Sequence, residues 1–213
     1  SCGYSRKKSI YSFYNTMLME HPCAAAHSEI IKMKELRFIL SLLLFILCPS
    51  IIEAQVFKTQ SGYAEFKAEA SLNNYKGVSN QLAGEVNIKT RSVYFKIPIK
   101  SLDTGIGKRN RDMYNLMQVN KYPYAEFKGN IVSDFNPASQ ASRKVTVSGN
   151  FTLRGIQKPL KVAGVMDRDG SKLNIEASWN IYITQYNIEP PRFLINKVKD
   201  RHLIYIKASL QQQ

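Results

Sequence analysis

From residue 61 onward, apolar and polar residues alternate in run after run, and this limits the fold more tightly than anything else in the chain. In SGYAEFKAEA, Ala64, Phe66 and Ala68 fall on one side and Glu65, Lys67 and Glu69 on the other. QLAGEVNIK sets Leu82, Val86 and Ile88 against Glu85, Asn87 and Lys89, and SVYFKIPI aligns Val93, Phe95, Ile97 and Ile99. YAEFKGNI adds Phe127 and Ile131; KVTVSGNFTLRG adds Val145, Val147, Phe151 and Leu153; KLNIEASWNI adds Leu173, Ile175, Ala177 and Trp179. A period of two over such runs means strands with one buried face.

Turn formers separate the runs at Asn73-Asn74, Asp103 to Gly107, Asn136-Pro137, Gly155 to Pro159 and Asp169-Gly170. Asp-Gly between alternating runs marks a tight hairpin, because both positions tolerate positive φ. No stretch alternates strands with long helices, which argues against a parallel α/β sheet. About eight strands are expected. That number can close into an up-and-down antiparallel barrel without exposed edges, although periodicity alone also allows a sandwich. One segment departs from the pattern. In KRNRDMYNLMQVNKYPYAEFKG, Met113, Leu116, Met117 and Asn120 recur at helical spacing, which predicts a short helix over 107–119 with an apolar stripe. Arg109 and Arg111 stand at its start, the unfavourable end of the helix dipole for cations.

The first 54 residues are different material. MKELRFILSLLLFILCPSIIEA, residues 33–54, has a positive start at Lys34 and Arg37, an apolar run from Phe38 to Leu47, and Ala54 at a cleavage position. This is the layout of a secretory signal peptide; the run is short of the roughly 20 apolar residues that a membrane span needs. A lipoprotein signal at Cys48 fits less well, because Leu47 stands where a small residue is wanted. Residues 1–32 precede that signal and show no sustained periodicity, so they are expected to be an upstream extension, disordered and absent from the natural product. The exported chain would then run from Gln55 to Gln213, long enough for one domain with its own core, in the periplasm or secreted.

All three cysteines, Cys2, Cys23 and Cys48, precede Gln55, so the exported part has no disulfide and no thiolate metal site. Residues 1–54 hold six Lys/Arg and four Asp/Glu of the chain's 30 and 16, which leaves 24 against 12 and a net charge of +12 beyond. Such a field favours anionic partners, an anionic membrane surface among them, or serves solubility alone. Basic residues interleaved with Tyr94, Phe95, Tyr122 and Tyr124 suit single-stranded nucleic acid in principle. The strand aromatics fall largely on the inward face, however, and export removes the chain from most nucleic acid, so no nucleic-acid partner is expected.

Catalytic motifs are lacking. His202 is the one histidine beyond Gln55 and reads as a surface or rim residue. A lone histidine is a poor start for a triad or a zinc site. Asp167 and Asp169 flank Arg168 beside a turn, and Asp103 precedes Thr104-Gly105; both patterns suit turn formers better than paired acid/base groups. No catalytic residue, metal or cofactor is expected. The inward set of Phe66, Phe95, Phe127, Phe151 and Trp179 comes with small residues such as Ala64, Ala68, Gly84 and Gly149. Small inward residues leave volume for an apolar ligand, while a filled core is the competing reading.

SLDTGIGKRNRDMYNLMQVNKYPYAEFKG (101–129) and VSGNFTLRGIQKPLKV (147–162) together resemble the YceI-like family of exported bacterial proteins. The first fits its Ser-Leu-x-Thr, Arg-Asn/Arg-Asp and Lys-Tyr-Pro pattern, and the second its Thr-Leu-His/Arg-Gly-Ile-x-Lys-Pro pattern. The resemblance covers 55–213 and implies a lipocalin-like antiparallel barrel with a polyisoprenoid chain in a central pore. Arg154 stands where many members carry His, and Ser61-Gly62-Tyr63 replaces an early His-Ser pair. The C-terminal YNIEPPRFLINKVKDRHLIYIKASL resembles a branch common in Bacteroidetes-type bacteria.

On this reading the chain is a periplasmic binding or carrier protein for an isoprenoid or similar amphipathic lipid. The expected ligand wall is Phe66, Phe95, Met113, Leu116, Met117, Tyr122, Phe127, Phe151 and Trp179. Arg109, Arg111, Lys121 and Arg154 are the candidates for a headgroup. One alternative is a lipid-acting isomerase or hydrolase, which would need Asp103, Tyr122 and His202 to converge inside the pore. Another is a filled barrel that binds anionic surfaces. Assembly as a homodimer is left open.

Overall fold

The computed structural model describes residues 37, 56–70, 74–134, 141–193 and 196–213. Chain contacts separate 1–52 from 53–213, and only the second unit is considered below. The expected upstream extension and the signal peptide, Arg37 apart, lie outside the described residues, as do Asn73 and Asn136-Pro137. Among the described residues no helix is long and apolar enough to cross a membrane.

Among the described residues nine strands follow in chain order: β1 (Val56–Ala70), β2 (Tyr75–Asn87), β3 (Ser92–Pro98), β4 (Tyr124–Ile131), β5 (Arg143–Leu153), β6 (Ile156–Asp169), β7 (Lys172–Tyr182), β8 (Arg192–Phe193) and β9 (Asn196–Gln212). Each of β1 to β6 pairs antiparallel with the next, β7 pairs with β9, and β9 pairs back with β1. The sheet is thus a closed eight-stranded barrel; β8 is a two-residue ribbon on β9. Closure gives every strand of the ring a neighbour on both sides, although β6 and β7 pair only from Gly164↔Ala177 to Asp169↔Lys172, and it resolves the choice between barrel and sandwich that alternation left open.

The inward face is the one the alternation assigns. Phe57, Val86, Phe95, Ile97, Phe127, Phe151, Leu173 and Leu210 are buried in one continuous core. Phe57 and Ala64 are both buried although seven positions apart, an odd spacing that a regular strand cannot satisfy. The pairing of β1 with β2 shifts on both sides of Gly62, so an irregularity there restores the parity. A Cβ on Gly62 would sit 2.9 Å from the Ala208 Cβ. Glu65 points outward as expected, yet it is only 6% exposed. Lys67 and Lys76 reach it at 3.1 and 3.2 Å, and the Tyr63 hydroxyl donates to it at 2.8 Å. Burial pushes the Glu65 carboxyl up, but these donors outweigh burial and hold it below the usual range.

Two hairpins show how turn chemistry sets register. Leu153 pairs with Ile156 around Arg154 and Gly155, both at positive φ (50° and 74°), the conformation of a two-residue I′ turn. The β6–β7 loop is Gly170-Ser171, one residue beyond the predicted Asp169-Gly170, because Asp169 pairs with Lys172 in the ladder. Pro159, expected to belong to a turn, lies inside β6 opposite Asn150.

The ends of the barrel differ. Where β3 leaves the barrel, a 3-10 turn (Ile99–Ser101) leads to helix α1 (Gly107–Met117), which precedes β4. On the opposite side of the ring, a 3-10 turn (Ile183–Tyr186) after β7 leads through Ile188 to β8. Ile183, Tyr186 and Ile188 are buried. Both insertions belong to the same end. At the other end Phe57, Leu173 and Leu210 are almost completely buried, forming a packed floor, with the Arg168 guanidinium 5.6 Å from the Phe57 ring centre.

Candidate functional site

Above that floor the barrel holds a cavity of about 430 Å3. Its wall comes from the inward strand positions and from one stripe of α1. Phe66, Phe95, Phe127, Phe151 and Trp179 all line it, with Met113, Leu116 and Met117. Trp179 lies 6.3 Å from Phe127 and 6.0 Å from Phe151, centre to centre, the latter pair edge to face. Its buried indole N–H has no acceptor among the described residues. The floor residues Phe57, Leu173 and Leu210 are not part of the wall, so the interior is filled at one end and hollow above. This hollow departs from the filled-barrel alternative.

Of the small residues expected to leave room, Ala64 borders the hollow, but Ala68, Gly84 and Gly149 do not. A Cβ on Gly84 would fall 2.0 Å from the Phe95 ring, and one on Gly77 2.3 Å from the Phe66 ring. These glycines are seats for rings. Gly149 faces Gly129 across β5 and β4 so closely that a Cβ would strike the Lys128 carbonyl at 2.4 Å. It permits close approach of two strands and adds no volume. Ala64, Gly164 and Ala177 do border the cavity.

Helix α1 is tied down by the residues that precede it. Asp103 pairs with Val78 of β2 through both backbone bonds, each 2.9 Å. Its carboxylate accepts from the Gly105 amide at 2.9 Å and from the Asn110 amide group at 2.8 Å. Those bonds, Asn110 first, hold it below the usual carboxylate range. Asn110 in turn accepts from the Thr104 amide and hydroxyl at 2.9 and 2.6 Å. The Tyr114 hydroxyl lies 2.9 Å from the Lys100 carbonyl and 3.0 Å from that of Leu102. Asp103 is therefore a turn former, as its position before Thr104-Gly105 implies. Helix α1 ends at Gln118, which takes the left-handed conformation, just short of the predicted residue 119.

The stripe facing the cavity is Arg109, Asp112, Met113, Leu116 and Met117. It extends the predicted stripe backward to Arg109 rather than forward to Asn120, which is exposed and accepts from Lys100 at 3.2 Å. Arg109 lies over the Tyr75 ring, 4.8 Å from its centre. Tyr75 meets Phe66 edge to face at 6.1 Å, and Phe66 meets His202 at 6.1 Å. Arg109, Asp112, Tyr75 and Pro191 are wall residues that are also partly open to solvent. All lie at the helix end of the barrel, so the cavity has its mouth there.

Other expected site residues are placed elsewhere. Tyr122 does not line the cavity; its ring packs on Gly155 and lies 5.1 Å from the Lys121 ammonium. Its amide bonds to the Gln118 carbonyl, which holds it outside the wall. Arg111 is exposed, away from the cavity. Arg154 donates to the Asn187 carbonyl, linking the β5–β6 turn to the insertion after β7. His202 is no surface residue: it is buried, opposite Ala68 and Ile181 near the helix end of the barrel, and it lines the wall. Burial lowers its pKa below the ordinary 6.5, against an opposing hydrogen bond and charge from Asp200. The alternation of His202 with Ile204, Ile206, Ala208 and Leu210 carried the signal for that placement. Ile183, Ile188 and Val198 of the wall were missed, since the segment around them has no clear period.

Asp103, Tyr122 and His202 share no hydrogen bond among the described residues, and only His202 reaches the cavity. The convergence that a lipid-acting enzyme would need is not present. Among the described residues no group of three His, Cys, Asp or Glu side chains is placed to hold a metal. Lys96, Glu126 and Glu176 border the cavity only at outward-facing strand positions; the Glu126 carboxylate accepts from Tyr94 at 2.6 Å, and Lys96 lies over the Tyr124 ring.

Comparison with known proteins follows this geometry. The model of the YceI-like domain matches residues 54–210. No curated protein matches the chain significantly. Among solved structures, a polyisoprenoid-binding domain from Saccharophagus degradans, implicated in plant cell wall breakdown, superimposes with a TM-score of 0.64 at 13% identity, covering 76% of this chain and all of that one. BcnA of Burkholderia cenocepacia superimposes at 0.58 with 16% identity, over 70% of this chain and 95% of its own. The YCEI protein of Campylobacter jejuni gives 0.50 at 12% identity, over 68% and 85%. At such identities the superpositions speak for the fold, and the domain match over 54–210 speaks for descent: the chain belongs to the YceI-like family.

Proposed function

We propose that the barrel binds an isoprenoid or similar amphipathic lipid in its cavity and carries or stores it outside the cytoplasm, in the periplasm if the signal at residues 33–54 is used. The observation that carries this reading is the apolar hollow above a packed floor, with Arg109 and Asp112 at its mouth and the other charged lining residues, Glu65, Lys96, Glu126 and Glu176, at outward-facing strand positions. Burying a hydrocarbon chain there is favourable by about 25 cal/mol for each Å2 removed from water, and this needs neither a catalytic group nor a metal. Met113 and Met117, flexible and polarizable, suit a wall that must fit a variable chain. The polyisoprenoid-binding domain of similar fold supports the choice of ligand class.

Native mass spectrometry and lipid extraction of the protein purified from its own exported fraction test the proposal. A co-purifying prenyl or acyl chain is the expected result. A ligand-free protein that also leaves added prenyl quinones unbound would overturn it. Sequencing the N-terminus of the exported product tests the location: a start near Gln55 is expected, and a product that retains residues 33–54 would contradict release by cleavage.

A further inference from the structure

The mouth holds a cation without a counterion. Arg109 lines the cavity and is partly withdrawn from water, yet no carboxylate pairs with it among the described residues. Three of the acids near this end are engaged elsewhere. Asp112 is held by Lys108 at 3.0 Å. Glu69 is held by Lys199 and Arg201 at 2.7 and 3.1 Å. Glu65 is held by Lys67 and Lys76 on the outer face. The Tyr75 ring beneath the guanidinium fixes its position while leaving its N–H donors available. Helix α1 thus presents to the cavity both the cationic Arg109 and the apolar Met113, Leu116 and Met117.

We infer that Arg109 is the headgroup-binding residue of the cavity mouth and that the bound amphiphile carries an anionic head, a phosphate or a carboxylate. This rests on the cavity being the lipid site. A planar guanidinium donates paired hydrogen bonds to either anion, and partial exclusion of water strengthens them. Three other titratable groups face the mouth: Asp112, His202 and the Tyr75 phenol, which burial holds protonated. Asp112 repels an anion, but its charge is offset by Lys108; His202, on the β9 side, contributes no positive charge while it stays neutral. The head lies over Tyr75 and the chain runs past Phe66 toward Trp179.

The test uses the delipidated full chain and two ligands with one tail, geranylgeranyl phosphate and geranylgeraniol, with Trp179 fluorescence and calorimetry as readouts. The phosphate should bind about tenfold more tightly or better, the range of one charge-assisted contact. Arg109→Gln should abolish that preference by weakening the phosphate alone, Arg109→Lys should keep part of it, and Arg111→Gln should keep all of it. Equal affinity in the unaltered chain, or a preference that survives Arg109→Gln, would overturn the inference while leaving the cavity as a lipid site. Failure of both ligands to bind would instead overturn the lipid reading on which it rests. Inorganic phosphate at millimolar concentration should not displace the lipid; if it does, the site is one for free anions and the inference fails.

Discussion

Filling the hollow should stabilise the barrel and harm binding at once. Ala177 borders the cavity between Gly164 on β6 and Ile206 on β9. Ala177→Leu adds three carbons pointing into a space of about 430 Å3. Each newly buried carbon group contributes about 0.8 kcal/mol, about 2.4 kcal/mol in all, and restricting the leucine side chain costs about 0.5–1 kcal/mol. The ligand-free variant should therefore gain about 1.5 kcal/mol in urea unfolding, a rise in Tm of about 3–6 °C for a domain of this length. A filled core would respond with the opposite sign, losing about 1–3 kcal/mol to overpacking. The same leucine occupies ligand volume, so prenyl quinone affinity measured by Trp179 quenching should fall. A destabilised variant would refute the hollow beside Ala177; a stabilised variant with unchanged affinity would refute the cavity as the ligand's place.

Three further outcomes follow from the same geometry. Leu210→Ala, in the floor and fully buried, should lose about 2–5 kcal/mol in denaturant unfolding while ligand affinity in the folded state stays within about twofold. Gly84→Ala would place its Cβ 2.0 Å from the Phe95 ring and should cost about 1–3 kcal/mol; adding Phe95→Leu should recover part of the lost Tm. His202 has a folded-state pKa below 6.5 because it is buried, so the unfolded chain takes up a proton that the folded barrel refuses. Its contribution is full above about pH 6.5 and is lost as pH falls toward the lowered folded value. His202→Gln should flatten that part of a Tm–pH profile.

The barrel wall was legible because alternation is a direct record of which face is buried. Phe66, Phe95, Phe127, Phe151 and Trp179 all follow from it, and so would His202, had its phase with Ile204 and Ile206 been weighed above its chemistry. Other features depend on partners that no local pattern encodes. Gly84 reads as empty space until Phe95 is seen across the ladder to rest on it. Tyr122 follows an apolar helix and looks inward, but the reversal at Gln118 turns it onto Gly155. The helical stripe extends the other way from the one the spacing suggests: Asn120 matches the period but is exposed, while Arg109, a headgroup candidate four residues before Met113, lines the cavity. The segment from Ile183 to Ile188 reads as irregular because its burial comes from folding over the end of the barrel rather than from a strand or helix period.

The packed floor and the paired insertions at the far end give the interior a direction. Phe57, Leu173 and Leu210 stop whatever enters, while α1 and the segment after β7 flank the exit from opposite sides. Such a sleeve gauges depth and not length. On the proposed reading, successive prenyl units would gain affinity only until the tail meets the floor, and any excess would trail outside between the two flaps. The protein would then sort its cargo by the first few units and by the group at the rim, and tolerate a mixture of longer tails.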